Sequence, residues 1–267
     1  MHHKEQVMAP ILEKDLGVIC SIPKDFDTDG FGTFSGEITR VSDALTVARQ
    51  KCLAAIVATD CDLAVASEGS FGPHLSAYFA SADDELVVLI DRKNQLEIIG
   101  RSVSFKTNFS GTSITTEKEL LDFASQAQFP SHGLILRPSQ HSIEDMVKGI
   151  VSAEILLAQF QYLKSKYASV FVETDMRAMY NPTRMEVISM ATKQLVQQVK
   201  SLCPECQTPG FTIAEVKTGL PCSWCGSPTS SVLSHLYNCK KCNFTKELLY
   251  PNHKKTEDPG FCNYCNP

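Results

Sequence analysis

Eight cysteines near the end of the chain fall into four pairs of one spacing: Cys203-Pro-Glu-Cys206, Cys222-Ser-Trp-Cys225, Cys239-Lys-Lys-Cys242 and Cys262-Asn-Tyr-Cys265. Two thiolates two residues apart can grip one metal ion, and two such pairs complete a tetrahedral shell, so four pairs predict two four-cysteine zinc sites. Gly226, Asn243 and Asn266 follow the second cysteine of three pairs, and Gly and Asn accept the left-handed backbone that a metal knuckle requires there; Gln207 departs from the pattern. Nothing at the N-terminus resembles a signal peptide, which predicts a reducing, cytoplasmic setting where disulfides do not persist. A redox Cys-x-x-Cys normally occurs once, at a strand-to-helix turn, and four copies do not suit that role. Zinc closed by four thiolates has no open position for a substrate, so it is expected to be structural.

The expected pairing is nested. Cys222, Cys225, Cys239 and Cys242 read as one zinc ribbon, and Cys203, Cys206, Cys262 and Cys265 meet over it, with Pro209-Gly-Phe211 echoed by Pro259-Gly-Phe261. Sequential pairing, first with second and third with fourth, stays open because both loops have ordinary lengths for zinc sites.

The elements that position these cysteines belong to a chain of 267 residues, 43% hydrophobic and 21% charged, with a net charge of −5. Two domains are expected, an α/β domain over 1–200 and a zinc-ribbon module over 201–267. The module carries six lysines against five acidic residues, whereas 1–200 carries 19 basic against 25 acidic. That balance argues against broad nucleic-acid binding by the larger part and leaves the module free to bind nucleic acid or protein. No apolar run is long enough to span a bilayer.

Along the chain, a short opening helix to Leu12 is followed by a strand over Leu16–Ile22 and a glycine-bearing loop over Asp25–Gly36. A helix over Ser42–Ala58 leads to a strand over Asp62–Ser67 and a second glycine-bearing turn over Glu68–His74. Strands Glu85–Asp91 and Leu96–Gly100 form a hairpin around Lys93-Asn94. Thr116 and Glu119 form a capping box for a helix to Ala127, and Gly133–Arg137 is a buried strand. Ser142 and Asp145 open a longer helix through Phe160, Val170–Thr174 is the last strand, and Thr183 with Glu186 caps a helix to Leu202. The pattern predicts the α/β class, a layered mixed sheet with flanking helices, followed by the small zinc module.

Three polar clusters fall at predicted element ends: Ser35, Glu37 and Arg40; Ser67, Glu68, Ser70 and His74; and Asp175, Arg177, Asn181 and Arg184. Taken singly, capping, turn formation or ion pairing accounts for each. Cys20, Cys52 and Cys61 sit among apolar residues and read as small core side chains.

The segments Asp25–Gly36, Ala66–His74, Thr174-Asp-Met-Arg-Ala178 and Asn181-Pro-Thr-Arg-Met185, with the cysteine module, resemble an uncharacterised bacterial family of the domain-of-unknown-function kind. That resemblance spans nearly the whole chain and implies no activity. More remotely, Thr33-Phe-Ser-Gly-Glu-Ile38, the alanine-rich helix with Ala48-Arg-Gln-Lys51, Leu63–Gly69 and the apolar hairpin are similar to the inosine/xanthosine triphosphate pyrophosphatase superfamily. The similarity implies a magnesium-dependent hydrolase of a nucleoside triphosphate or related phosphate substrate. Glu37 and Glu68 would be its catalytic carboxylates, and Lys4, Ser67, Arg177 and Arg184 would contact the phosphorylated substrate. That superfamily opens with a strand and a Thr-x-Asn-x-x-Lys turn, whereas only Met1, His2 and His3 precede Lys4.

The alternative is a non-catalytic recognition protein whose module binds protein or nucleic acid through an exposed face of Tyr237, Lys240, Lys241 and Phe244. Convergence of Glu37, Glu68 and Arg184 in one cleft would favour the enzyme.

Overall fold

Gly17 ends the first helix, α1 (Glu5–Leu16), in the left-handed conformation at φ 68°, donating its N–H to Glu13 O. Met8 and Leu12, four residues apart, are the buried stripe of this helix, which therefore runs on to Leu16. Residues 17–23 have no regular structure, so the expected strand over Leu16–Ile22 does not form. The computed structural model describes residues 3–23, 43–74 and 77–267, and the glycine-bearing loop 25–36 lies outside them. By internal contacts the chain divides into Met1–Val196 and Gln197–Pro267.

In the first unit, α2 (Ala44–Thr59) starts at Asp43, whose side chain accepts the Thr46 N–H at 3.0 Å. It buries Ala48, Cys52 and Ile56 against Ala64 and Val88 of an antiparallel sheet of β1 (Leu63–His74), β2 (Ala77–Asp91) and β3 (Leu96–Ser104). The expected turn over Glu68–His74 is instead the outer half of β1, paired without interruption from Leu63↔Asp91 to Pro73↔Ser81. Glycine is needed there for space: a Cβ on Gly69 would lie 2.1 Å from the Glu85 carboxylate on the neighbouring strand.

The second sheet has the order β4-β7-β5-β6, made of β4 (Gly111–Ile114), β5 (Leu134–Arg137), β6 (Val147–Ile150) and β7 (Val170–Thr174). Helices α3 (Glu117–Gln126) and α4 (Ala153–Lys166) cover it through Leu120, Phe123, Leu156, Phe160 and Leu163, packed on Leu134, Leu136, Ile150 and Val172. The Thr116/Glu119 capping box is present, with Glu119 N–H donating to Thr116 Oγ1 at 3.2 Å and Thr116 N–H to Glu119 Oε2 at 3.0 Å. The helix expected from Ser142 begins only at Ala153. Gly149 sits at φ 70°, and Val147–Ile150 pairs with β5 as β6, while Ile143 and Met146 lie in the irregular segment before it.

Helix α5 (Pro182–Lys200) is capped by Asn181, not Thr183: Asn181 Oδ1 accepts the Arg184 N–H at 3.0 Å. Pro182, lacking an N–H, fits the first helical position, where no intrahelical partner exists. Thr183 Oγ1 lies 2.9 Å from His132 Nε2 instead. Backbone of α5 comes so close to β3 that a Cβ on Gly100 would stand 2.2 Å from Ala191 O.

The second unit is built on an antiparallel sheet of order β10-β9-β8, from β8 (Thr212–Thr218), β9 (Val232–Asn238) and β10 (Thr245–Leu249). The α/β class holds: the described residues contain five helices, and their strands form three antiparallel sheets.

Candidate metal centres and a buried charge network

Each cysteine pair forms a tight knuckle whose backbone repeats four times. The residue after the second cysteine donates its N–H to the carbonyl of the first: Gln207 to Cys203, Gly226 to Cys222, Asn243 to Cys239 and Asn266 to Cys262, at 2.8–3.0 Å. Gln207, Gly226 and Asn243 have φ of 58°, 73° and 59°; Gln207 thus takes the left-handed conformation in spite of its type, and Asn266 is not among the positive-φ residues.

The knuckles combine in an interleaved order that neither expected pairing foresaw. Cys203, Cys206, Cys239 and Cys242 form one group, and Cys222, Cys225, Cys262 and Cys265 the other, with the ligand atoms of each within 4.8 Å of one another. The nested pairing is therefore corrected, and the sheet supplies the reason. In register, Thr212 opposes Asn238, which opposes Thr245, so the knuckle before β8 and the one between β9 and β10 share one end. The knuckle after β8 lies a seven-residue strand away, roughly 20 Å, at the other end. The last knuckle returns to that second end, where Glu257 pairs in parallel with Cys222 and accepts the Ser223 N–H at 2.9 Å. Each strand reverses the chain, so odd knuckles meet odd and even meet even.

Chemically the two groups are alike. A tetrahedral metal with metal–sulfur bonds of about 2.3 Å has sulfur–sulfur edges of about 3.8 Å. Cys203–Cys242 and Cys206–Cys239 are 3.6 Å apart between sulfurs, Cys225–Cys262 3.7 Å and Cys222–Cys265 3.9 Å. The first cysteine of each knuckle is buried. Hydrogen-bond donors favour the thiolate form: the Thr208 hydroxyl, 3.2 Å from Cys206 Sγ, and then the Thr208 N–H hold that thiol down at about 6. Ser227 does the same for Cys225, also to about 6, whereas contact with the neighbouring sulfurs and burial push Cys242 and Cys265 up to about 12. Each group can hold a metal ion.

Beneath the first group, Phe211 stacks on Tyr237 at 5.6 Å and contacts Phe244 at 5.8 Å, forming a small core with Cys203 and Cys239. Tyr237 and Phe244 are thus packing residues and not the expected exposed aromatic face, while Lys240 and Lys241 are exposed.

The first unit gathers charge in its interior. Lys4 Nζ donates to Ser67 O at 3.1 Å and interacts electrostatically with Arg184, Glu85, Glu68 and Lys51. Burial, then the Arg184 charge, lowers the Lys4 amine to about 8. Lys51 of α2 pairs with Glu68, which is 1% exposed. Arg184 pairs with Glu85 at 2.6 Å, donates to Met176 O and lies 5.1 Å over the Phe71 ring. The pleat of β1 and β2 puts Glu68 on the α2 face and Gly69 with Glu85 on the other, and Lys4 lies near both.

Of the residues expected to handle phosphate, Lys4, Ser67, Glu68 and Arg184 therefore meet in one network. Glu37, with Ser35 and Arg40, lies outside the described residues. Arg177 belongs elsewhere: it pairs with Asp175 at 2.6 Å, and that carboxylate also accepts the Gly149 N–H. Sequence reasoning missed Lys51, Asp83 and Glu85. The available signal was a lysine inside the apolar stripe of α2 and acidic residues two apart leading into an apolar strand.

Asp83 Oδ1 and Glu85 Oε2 are buried and accept no hydrogen bond among the described residues. Burial, then the Glu85 charge, pushes the Asp83 carboxyl up to about 8. The folded chain thus holds this proton where the unfolded chain, with an aspartate near 3.9, has released it, so stability falls as pH rises from about 4 to about 8. Asp83→Asn removes that slope: urea midpoints at pH 6 and pH 8.5 should draw together relative to wild type, and an unchanged difference would refute the assignment.

These features define a two-unit α/β protein with a cysteine-rich C-terminal ribbon whose two four-cysteine groups could each hold a metal ion. Over residues 51–267 it matches the domain of unknown function DUF6671, and the chain belongs to that family. No curated protein and no solved structure matches it. Among the described residues, no helix is long and apolar enough to cross a membrane.

Proposed function

We propose that the chain is a zinc-binding recognition protein in which one structural zinc ion fills each four-cysteine group. The observation that carries this reading is that each group gathers four sulfurs within 4.8 Å of one another, with two edges per group at 3.6–3.9 Å, close to the edge of a zinc tetrahedron. Four protein ligands leave no position for a substrate, so the metal supplies a rigid frame and the ribbon's surface supplies recognition. Thiolates in this number favour a reducing compartment, and we place the protein in the cytoplasm. Elemental analysis of protein purified under reducing conditions should find two zinc ions per chain. Iron in their place, or fewer than two metals, would overturn the reading.

The second reading, magnesium-dependent hydrolysis of a nucleoside triphosphate, is favoured by the meeting of Lys4, Glu68 and Arg184. In it, Glu68 would help to hold magnesium and Lys4 would contact phosphate, with Lys51 and Glu85 as their charge partners. Pyrophosphate release should then require magnesium and be lost in Glu68→Gln while zinc content stays at two. A wild-type chain that neither binds nor turns over nucleotides would remove this reading.

A further inference from the structure

The two four-cysteine groups differ in what their knuckles show to solvent. Between the cysteines of the first group lie Pro204 and Glu205, and Lys240 and Lys241. Between those of the second lie Ser223 and Trp224, and Asn263 and Tyr264. Trp224 is the only tryptophan of the chain, and it is 80% exposed, as is Tyr264. Phe261, just before Cys262, is 67% exposed. Large aromatic side chains left in water on a rigid frame gain nothing for the fold and are enriched where proteins meet partners.

Charge says what partner suits them. Zinc with four thiolates carries a net −2. In the first group Lys240 and Lys241 adjoin the cysteines and offset it, whereas no residue between the cysteines of the second group is charged. Lys254 is taken by Glu257 at 3.4 Å. The indole and phenol rings thus flank a dianionic centre, which suits a guanidinium or ammonium placed over a ring face. The unit as a whole has seven lysines and five acidic residues, and the two metal centres bring its net charge to −2, which repels a phosphate backbone.

We propose that the second four-cysteine centre, with Trp224, Phe261 and Tyr264 around it, is a docking surface for an arginine- or lysine-bearing segment of a partner protein. The proposal rests on the zinc reading above. Its test uses the zinc-loaded full chain, short labelled peptides rich in arginine, lysine or neutral citrulline, and a single-stranded oligonucleotide. Trp224 emission is the second readout.

The arginine peptide should bind and shift that emission, and the citrulline peptide should bind about tenfold more weakly or worse. Trp224→Ala and Tyr264→Ala should each weaken arginine-peptide binding several-fold with zinc content still at two, while Lys240→Ala leaves it unchanged. No binding, equal binding of arginine and citrulline peptides, or tighter binding of the oligonucleotide would overturn the docking proposal. Zinc content below two in the wild type would instead count against the zinc reading beneath it.

Discussion

With zinc in both four-cysteine groups, as proposed, stripping it from the full chain is expected to unfold residues 203–265 and to leave the first unit folded. The second unit has little else to hold it: every residue of β10 is exposed, as are most of β8, and its buried apolar cluster is Phe211 with Cys203 and Cys239. A three-stranded sheet with so little apolar burial cannot offset the conformational entropy of ordering its chain. Structural zinc supplies on the order of 10 kcal/mol per site, and that binding energy is then folding energy. The first unit has its own core in Leu134, Leu136, Phe160, Leu163 and Val172 and needs no such help. Amide hydrogen exchange after chelation should show protection lost in β8, β9 and β10 and kept in β2, β5 and β7. Persistent protection of β9 without metal would contradict this.

Arg184→Ala should be the most damaging single substitution in the first unit outside its apolar core. Arg184 and Glu85 are 1% and 0% exposed, and the guanidinium also holds the Met176 carbonyl. Removing one partner leaves a buried carboxylate uncompensated, a loss of about 3–5 kcal/mol. Replacing both, as Arg184→Met with Glu85→Leu, should recover much of that loss, because the cost lies in the stranded charge. Urea unfolding measures both variants, and a loss below about 1 kcal/mol in Arg184→Ala would show that the pair is not desolvated as described.

Local spacing made the metal ligands legible in the sequence, because a knuckle is complete within six residues. Their partners were not, since the pairing is decided by how many strands reverse the chain between knuckles. The three connections are each long enough for one strand, and counting reversals would have favoured the interleaved order. Elsewhere the errors share a cause. Gly69 and Gly72 made Glu68–His74 look like a turn, although Gly69 is there to admit the Glu85 carboxylate from the next strand. Apolar residues at Ile143, Met146, Val147 and Ile150 fit a helix by period, and only Gly149 hinted otherwise. Of the residues singled out, Lys4 lies within electrostatic reach of both Glu68 and Arg184, whereas Asp83 and Glu85 were hidden in a strand whose alternation points them inward.

The interleaved pairing is tested most directly by zinc stoichiometry in two double variants. Cys225→Ser with Cys262→Ser removes two ligands from one group, so the chain should retain one zinc ion; Cys225→Ser with Cys239→Ser breaks both groups and should retain none. Nested or sequential pairing would place Cys225 and Cys262 at different sites. Loss of both zinc ions from the Cys225→Ser, Cys262→Ser chain would contradict the architecture described for the second unit; one ion retained in the Cys225→Ser, Cys239→Ser chain would then mark nested pairing, and none would mark sequential pairing.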